Sequence, residues 1–108
     1  MTTNYKVLGQ VNPAATTSTT LYTVPAATQT VCSTLVICNQ GVSTTVNVAV
    51  QVAGAALTAK QYIVYQTTVN QYDTLNLTLG LSLAATDLIS VYAGTANVSF
   101  NLFGSEMS

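Results

Sequence analysis

Apolar and polar residues alternate along much of this chain with a period of two, the spacing of a strand that buries one side. The clearest case is Leu75, Leu77, Leu79, Leu81 and Leu83 set against Asn76, Thr78, Gly80 and Ser82. A helix would scatter these five leucines around its circumference, so the period outweighs leucine's own helix preference. Gly80 inside the pattern marks a bulge, or a bend carrying the strand from one sheet to the other. A second one-sided strand runs through Val46, Val48, Val50 and Val52, alternating with Asn47, Ala49 and Gln51.

The longest β-branched run follows a short strand at Leu21, Tyr22 and Val24 and a turn marked by Pro25, which has no amide hydrogen to offer a ladder. From Gln29 to Cys38, simple alternation puts Val31, Ser33, Leu35 and Ile37 on one side and Cys32, Thr34, Val36 and Cys38 on the other. Both sides are largely apolar, which predicts a strand buried in the middle of a sheet. Tyr5 to Val11 reads as an edge strand in which Gly9 is tolerated. Residues 60–69 put Tyr62 and Val64 on one side and Ile63 and Tyr65 on the other. Leu88 to Tyr92 and Asn97 to Phe103 complete the set, and Gly104 to Ser108 reads as a short polar tail, less ordered than the body.

About eight strands at this spacing, with short connections and no helix of convincing length, predict an all-β fold, an antiparallel β-sandwich of jelly-roll-like form. The 108 residues make a single domain, with residues 1–12 an arm or edge strand and 104–108 the tail.

Composition adds one constraint. Charged residues are 5% of the chain, against roughly 25% in an average soluble protein, so Thr, Ser, Asn and Gln must supply the polar surface. With a net charge of −1, copies repel one another weakly and association is easy. Lys6 and Lys60 are the only basic side chains, too few to grip phosphates, so no nucleic-acid partner is expected. No apolar run reaches the ~20 residues of a membrane span, and the N-terminus lacks the pattern of a signal peptide. Synthesis in the cytoplasm and no membrane partner are the expectation.

Candidate chemistry is sparse. The chain contains no His, the usual base for a Ser or Cys nucleophile, and neither lysine follows a Ser at Ser-x-x-Lys spacing. Asp73, Asp87 and Glu106 are spread along the chain, with Asp87 placed to stabilise a turn. No enzyme, metal or cofactor is expected. Cys32 and Cys38 on one strand stand roughly 20 Å apart, beyond disulfide reach, and read as reduced packing residues.

KVLGQ near the N-terminus, TLYTVPAATQTV at residues 20–31, GAAL at 54–57, LTLGLSLAATD at 77–87 and VSFNLFGSE at 98–106 together resemble small structural virion proteins of tailed bacteriophages. The resemblance covers nearly the whole chain. It implies a decoration (cement) protein on the outer surface of the head, with the major capsid protein as partner and a homotrimer as the form that fits a local threefold site. The alternatives are a small tail or baseplate component, and a receptor- or carbohydrate-binding module. Two contact regions are expected. One is the N-terminal segment, with Thr2, Asn4, Tyr5 and Lys6, placed to add as a strand or grip the shell. The other is the tyrosine group Tyr62, Tyr65 and Tyr72, which either meets a neighbouring copy or stacks on sugar.

Overall fold

The computed structural model describes residues 2–108, and of residue 79 the backbone alone. Eight strands, β1 (Thr3–Val11), β2 (Thr19–Thr23), β3 (Gln29–Asn39), β4 (Thr44–Gln51), β5 (Tyr62–Val69), β6 (Thr74–Leu83), β7 (Leu88–Ala93) and β8 (Val98–Met107), build two four-stranded sheets. Among the described residues, the helical segments are two 3-10 turns, Val52–Gly54 and Ala59–Gln61, both in the β4–β5 connection. The sheets are ordered β1-β8-β3-β6 and β2-β7-β4-β5, and every pairing is antiparallel. The expected all-β antiparallel sandwich is what forms. β1 pairs with β8, β2 with β7, β3 with β6 and β4 with β5, so the chain doubles back on itself as one long antiparallel ribbon. Rolling that ribbon over joins β8 to β3 and β7 to β4.

The core lies between the sheets. Leu35, Ile37, Val98, Phe100 and Leu102 from one sheet meet Val46, Val48, Ile89, Val91 and Ala93 from the other, all at most 1% exposed. Fully burying each of the Val, Leu, Ile and Phe side chains among them stabilises by roughly 1.5–3 kcal/mol relative to leaving it in water.

The alternation is broken by bulges that line up across the first sheet. Leu8 is extra in β1 between Val7 and Gly9, Ser33 is extra in β3 relative to β8, and residues 79 and 80 of β6 together face Ser33. An added residue shifts which side chains face inward. Cys32 and Thr30 therefore point into the core with Leu35 and Ile37, while Val31, Thr34, Val36 and Cys38 face outward. This corrects the simple alternation in three ways. Val31 is 36% exposed, β3 is central in its sheet but buried on one face alone, and the two free cysteines lie on opposite faces, Cys38 only partly buried. Gly80 does sit at a bulge, but β6 stays within one sheet. Its partners Ile37, Leu35, Cys32 and Thr30 set Leu75, Leu77, Leu81 and Leu83 inward. The fifth leucine of the pattern, Leu79, falls outside the described side chains.

The C-terminal end of the chain also differs from expectation. Residues 104–107 are the end of β8, paired with β1 on one side and β3 on the other, so they form no loose tail. Residues 3–11 are an edge strand held along their length, and Thr2 exchanges backbone hydrogen bonds with Ser108, at 2.7 and 3.0 Å.

Candidate interaction surfaces

The outer face of the β1-β8-β3-β6 sheet is the first surface. Residues directly opposite each other in neighbouring strands project to the same side. Tyr5, Ser105, Val31 and Ser82 make one row across the four strands, and Val7, Phe103, Thr34 and Thr78 make the next. Beyond them lie Gln10, Asn101, Val36 and Asn76, with Gln10 Nε2 donating to Asn101 Oδ1 at 2.7 Å. None of these residues carries a formal charge. Tyr5 is 86% exposed and Val7 and Val31 are also open to solvent, so the rows nearest the chain ends form an apolar patch on an otherwise amide- and hydroxyl-covered face.

The charged residues of this sheet turn the other way. Glu106 lies opposite Thr30, whose side chain is buried, and it points between the sheets. Its Oε2 accepts a hydrogen bond from the Tyr22 hydroxyl of β2, its Oε1 stands 2.9 Å from Lys6 Nζ of β1, and the Tyr22 oxygen lies 2.8 Å from Thr30 Oγ1 of β3. One carboxylate thus ties together strands of both sheets. The Tyr22 hydrogen bond, then Lys6, hold the Glu106 carboxyl below the ordinary carboxylate range. Burial, then Glu106, push the Tyr22 hydroxyl above its ordinary value, and burial pushes the Cys32 thiol up to about 11. Sequence alone does not pair Tyr22 with Glu106, because 84 residues separate them and Glu106 reads as part of a polar tail.

Of the N-terminal candidates, Thr2 is occupied by its backbone pairing with Ser108, Asn4 lies opposite Glu106, Tyr5 presents its ring outward, and the Lys6 ammonium is drawn to the carboxylate. The two aspartates sit in turns. Asp87 is 8% exposed and accepts from Ala53 N and Ala84 N, each at 2.9 Å, which is the turn-holding part expected of it. Asp73 accepts from Thr74 N in the β5–β6 turn.

The second surface is on the other sheet. Tyr62 and Tyr65 meet edge to face, ring centroids 4.9 Å apart at 61°. Simple alternation puts them on opposite sides; of two register shifts against β4, the first lies between them and brings them to the same one. Ile63 is the extra residue at the first, and it lines a cleft with Val50, Leu81 and Leu83 while Val64 is buried. At the second, Gln66 takes a left-handed φ of 50°, with its amide donating to Asn47 Oδ1 at 2.6 Å. Tyr72 is not part of this group. It lies in the turn after β5, at the far end of the strand from Tyr62, and is 76% exposed. The structure therefore separates the three tyrosines into a pair and a single residue. It also places the pair and Tyr5 on different sheets, at β5 and β1, each of which ends its sheet.

Comparison of the chain with family models, with curated proteins and with solved structures finds no match.

Proposed function

We propose that the chain is a structural protein of a tailed-bacteriophage virion, a decoration protein that binds the major capsid protein on the outside of the head and assembles as a homotrimer. The observation that carries this reading is the outer face of the β1-β8-β3-β6 sheet. It is built on paired strands, free of formal charge, and presents Tyr5, Val7 and Val31 to solvent. Such a face can be covered by another protein without stranding an ion away from water, the usual cost of burying a charged surface. The inward-turned Lys6 and Glu106 keep that face clear while satisfying each other.

Two further points support the reading. The segments KVLGQ, TLYTVPAATQTV and VSFNLFGSE resemble small virion proteins of tailed phages. The ribbon rolled with β1 beside β8 and β2 beside β7 is also how a jelly roll is wound, an architecture used by viral capsid domains and by lectins alike. Architecture alone does not select a function.

Binding of the purified, fluorescently labelled protein to phage heads tests the proposal. Saturable binding to heads stripped of their decoration, abolished by Val31→Lys, is the expected result. Labelling confined to the tail would move the protein to the tail or baseplate, and no association with any virion part would overturn the reading.

A further inference from the structure

We propose that the cleft beside Tyr62 and Tyr65 is a binding site for a neutral sugar ring, independent of the face assigned to assembly. The cleft, about 550 Å³, is lined by Leu57, Thr58, Ala59, Tyr62 and Tyr65. Its floor is the tyrosine pair on the outer side of β5 and its wall is the β4–β5 connection.

That connection is ordered without contributing to the core, since neither of its 3-10 turns buries a residue. Hydrogen bonds hold it instead. Thr58 N donates to Gln61 Oε1 at 2.8 Å, Gln61 Nε2 to Ala56 O at 3.0 Å, Gln51 Nε2 to Ala55 O at 2.8 Å, and Ala53 N to Asp87 Oδ1 at 2.9 Å. The floor is likewise set at a conformational cost. Among the described residues, Gln66 is the one non-glycine residue inside a strand with a left-handed φ, and such conformations persist where the surroundings enforce them and cluster at binding sites. Here the Asn47 side chain holds Gln66 directly after Tyr65, while the extra residue Ile63 sets Tyr65 on the same side as Tyr62.

The lining selects the ligand class. It offers ring faces, methyl groups and the hydroxyls of Thr58, Tyr62 and Tyr65, and it contains no carboxylate or ammonium. Lys60, the one charged residue of the connection, lines the neighbouring cleft with Leu81 and Leu83 instead. A pyranose, apolar on its C–H face and hydroxyl-bearing at its edge, matches an aromatic floor with a hydroxyl rim. An anionic ligand finds no partner there.

Titration of the ¹⁵N-labelled protein with neutral hexaoses (malto-, cello- and chitohexaose), monitored by amide shifts, tests the site. Saturable shifts centred on residues 57–66 with at least one sugar are expected, weakened about tenfold or more by Tyr65→Ala and retained by Tyr65→Phe. Tyr65 is 60% exposed, so the alanine variant is expected to fold, which its amide spectrum checks. Silence with all three sugars overturns the proposal, as does binding indifferent to Tyr65→Ala. A proline-rich peptide shifting these amides where the sugars do not would also overturn it, assigning the cleft to peptide.

Discussion

At the level of single residues, two of the five charged side chains, Glu106 and Asp87, are drawn into contacts within the fold. Glu106 is the clearest instance, and its chemistry gives a pH dependence with a definite sign. Its carboxyl is held below the ordinary range by Tyr22 and Lys6, so the folded state favours the ionised form. The resulting stabilisation is fully present above the unfolded glutamate value of about 4.3 and is lost as pH falls through the lower folded value. Thermal melts should show the wild type losing stability on acidification below about pH 4, with Glu106→Gln giving a flatter profile over that window. Equal acid sensitivity in both would show that the carboxylate is not coupled to folding. Asp87 gives a second prediction. Its two backbone hydrogen bonds join the first 3-10 turn to the β6–β7 turn, and Asp87→Ala should cost about 2 kcal/mol in a denaturant titration.

Among the strands, the period of two marks those with one buried side most plainly, because an apolar residue at each second position is the mark of such a pleated strand, whereas β2, β3 and β7 show instead as apolar or β-branched runs bounded by turns. Residues 75–83 and 46–52 were legible for this reason. What alternation could not show were the bulges. An extra residue at Leu8, Ser33 or Ile63 leaves no compositional trace; it exists only relative to the neighbouring strand. Each one reverses the facing of the residues beyond it, which is why Cys32 and Val31 exchanged sides and why Tyr65 joined Tyr62. The end of β8 leaves no strand pattern in the sequence: Gly104 and Glu106 have poor strand propensity, and pairing with β1 and β3 overrides it. The glycines at the aligned bulges separate two physical situations. A Cβ on Gly104 would collide with the Val31 carbonyl oxygen and lie 3.0 Å from Cys32 Cα, both backbone, whereas a Cβ on Gly80 meets nothing within 4 Å. Gly104→Ala should therefore destabilise by about 2 kcal/mol or more, while Gly80→Ala stays within about 0.5 kcal/mol of wild type. Equal effects in chemical denaturation would contradict the strand packing around β8.

Across the whole molecule, a chain with 5% charged residues has folded so that the outer rows of one sheet show none. The composition made association plausible, but which face would be bare depended on Lys6 and Glu106 turning inward together, and for Lys6 that rests on the bulge at Leu8. The N-terminal candidates were thus half legible: Tyr5 is available, while Thr2 and Lys6 are already engaged within the fold. If the bare face holds the protein in an assembly with its own copies, sedimentation equilibrium will reveal it. The wild type should sediment as a species of three times the 11.2 kDa chain mass, and Val31→Lys as a monomer, because its ammonium would be buried between copies without a partner. A wild-type monomer at all concentrations up to about 1 mM, the range of weak association, would rule that assembly out.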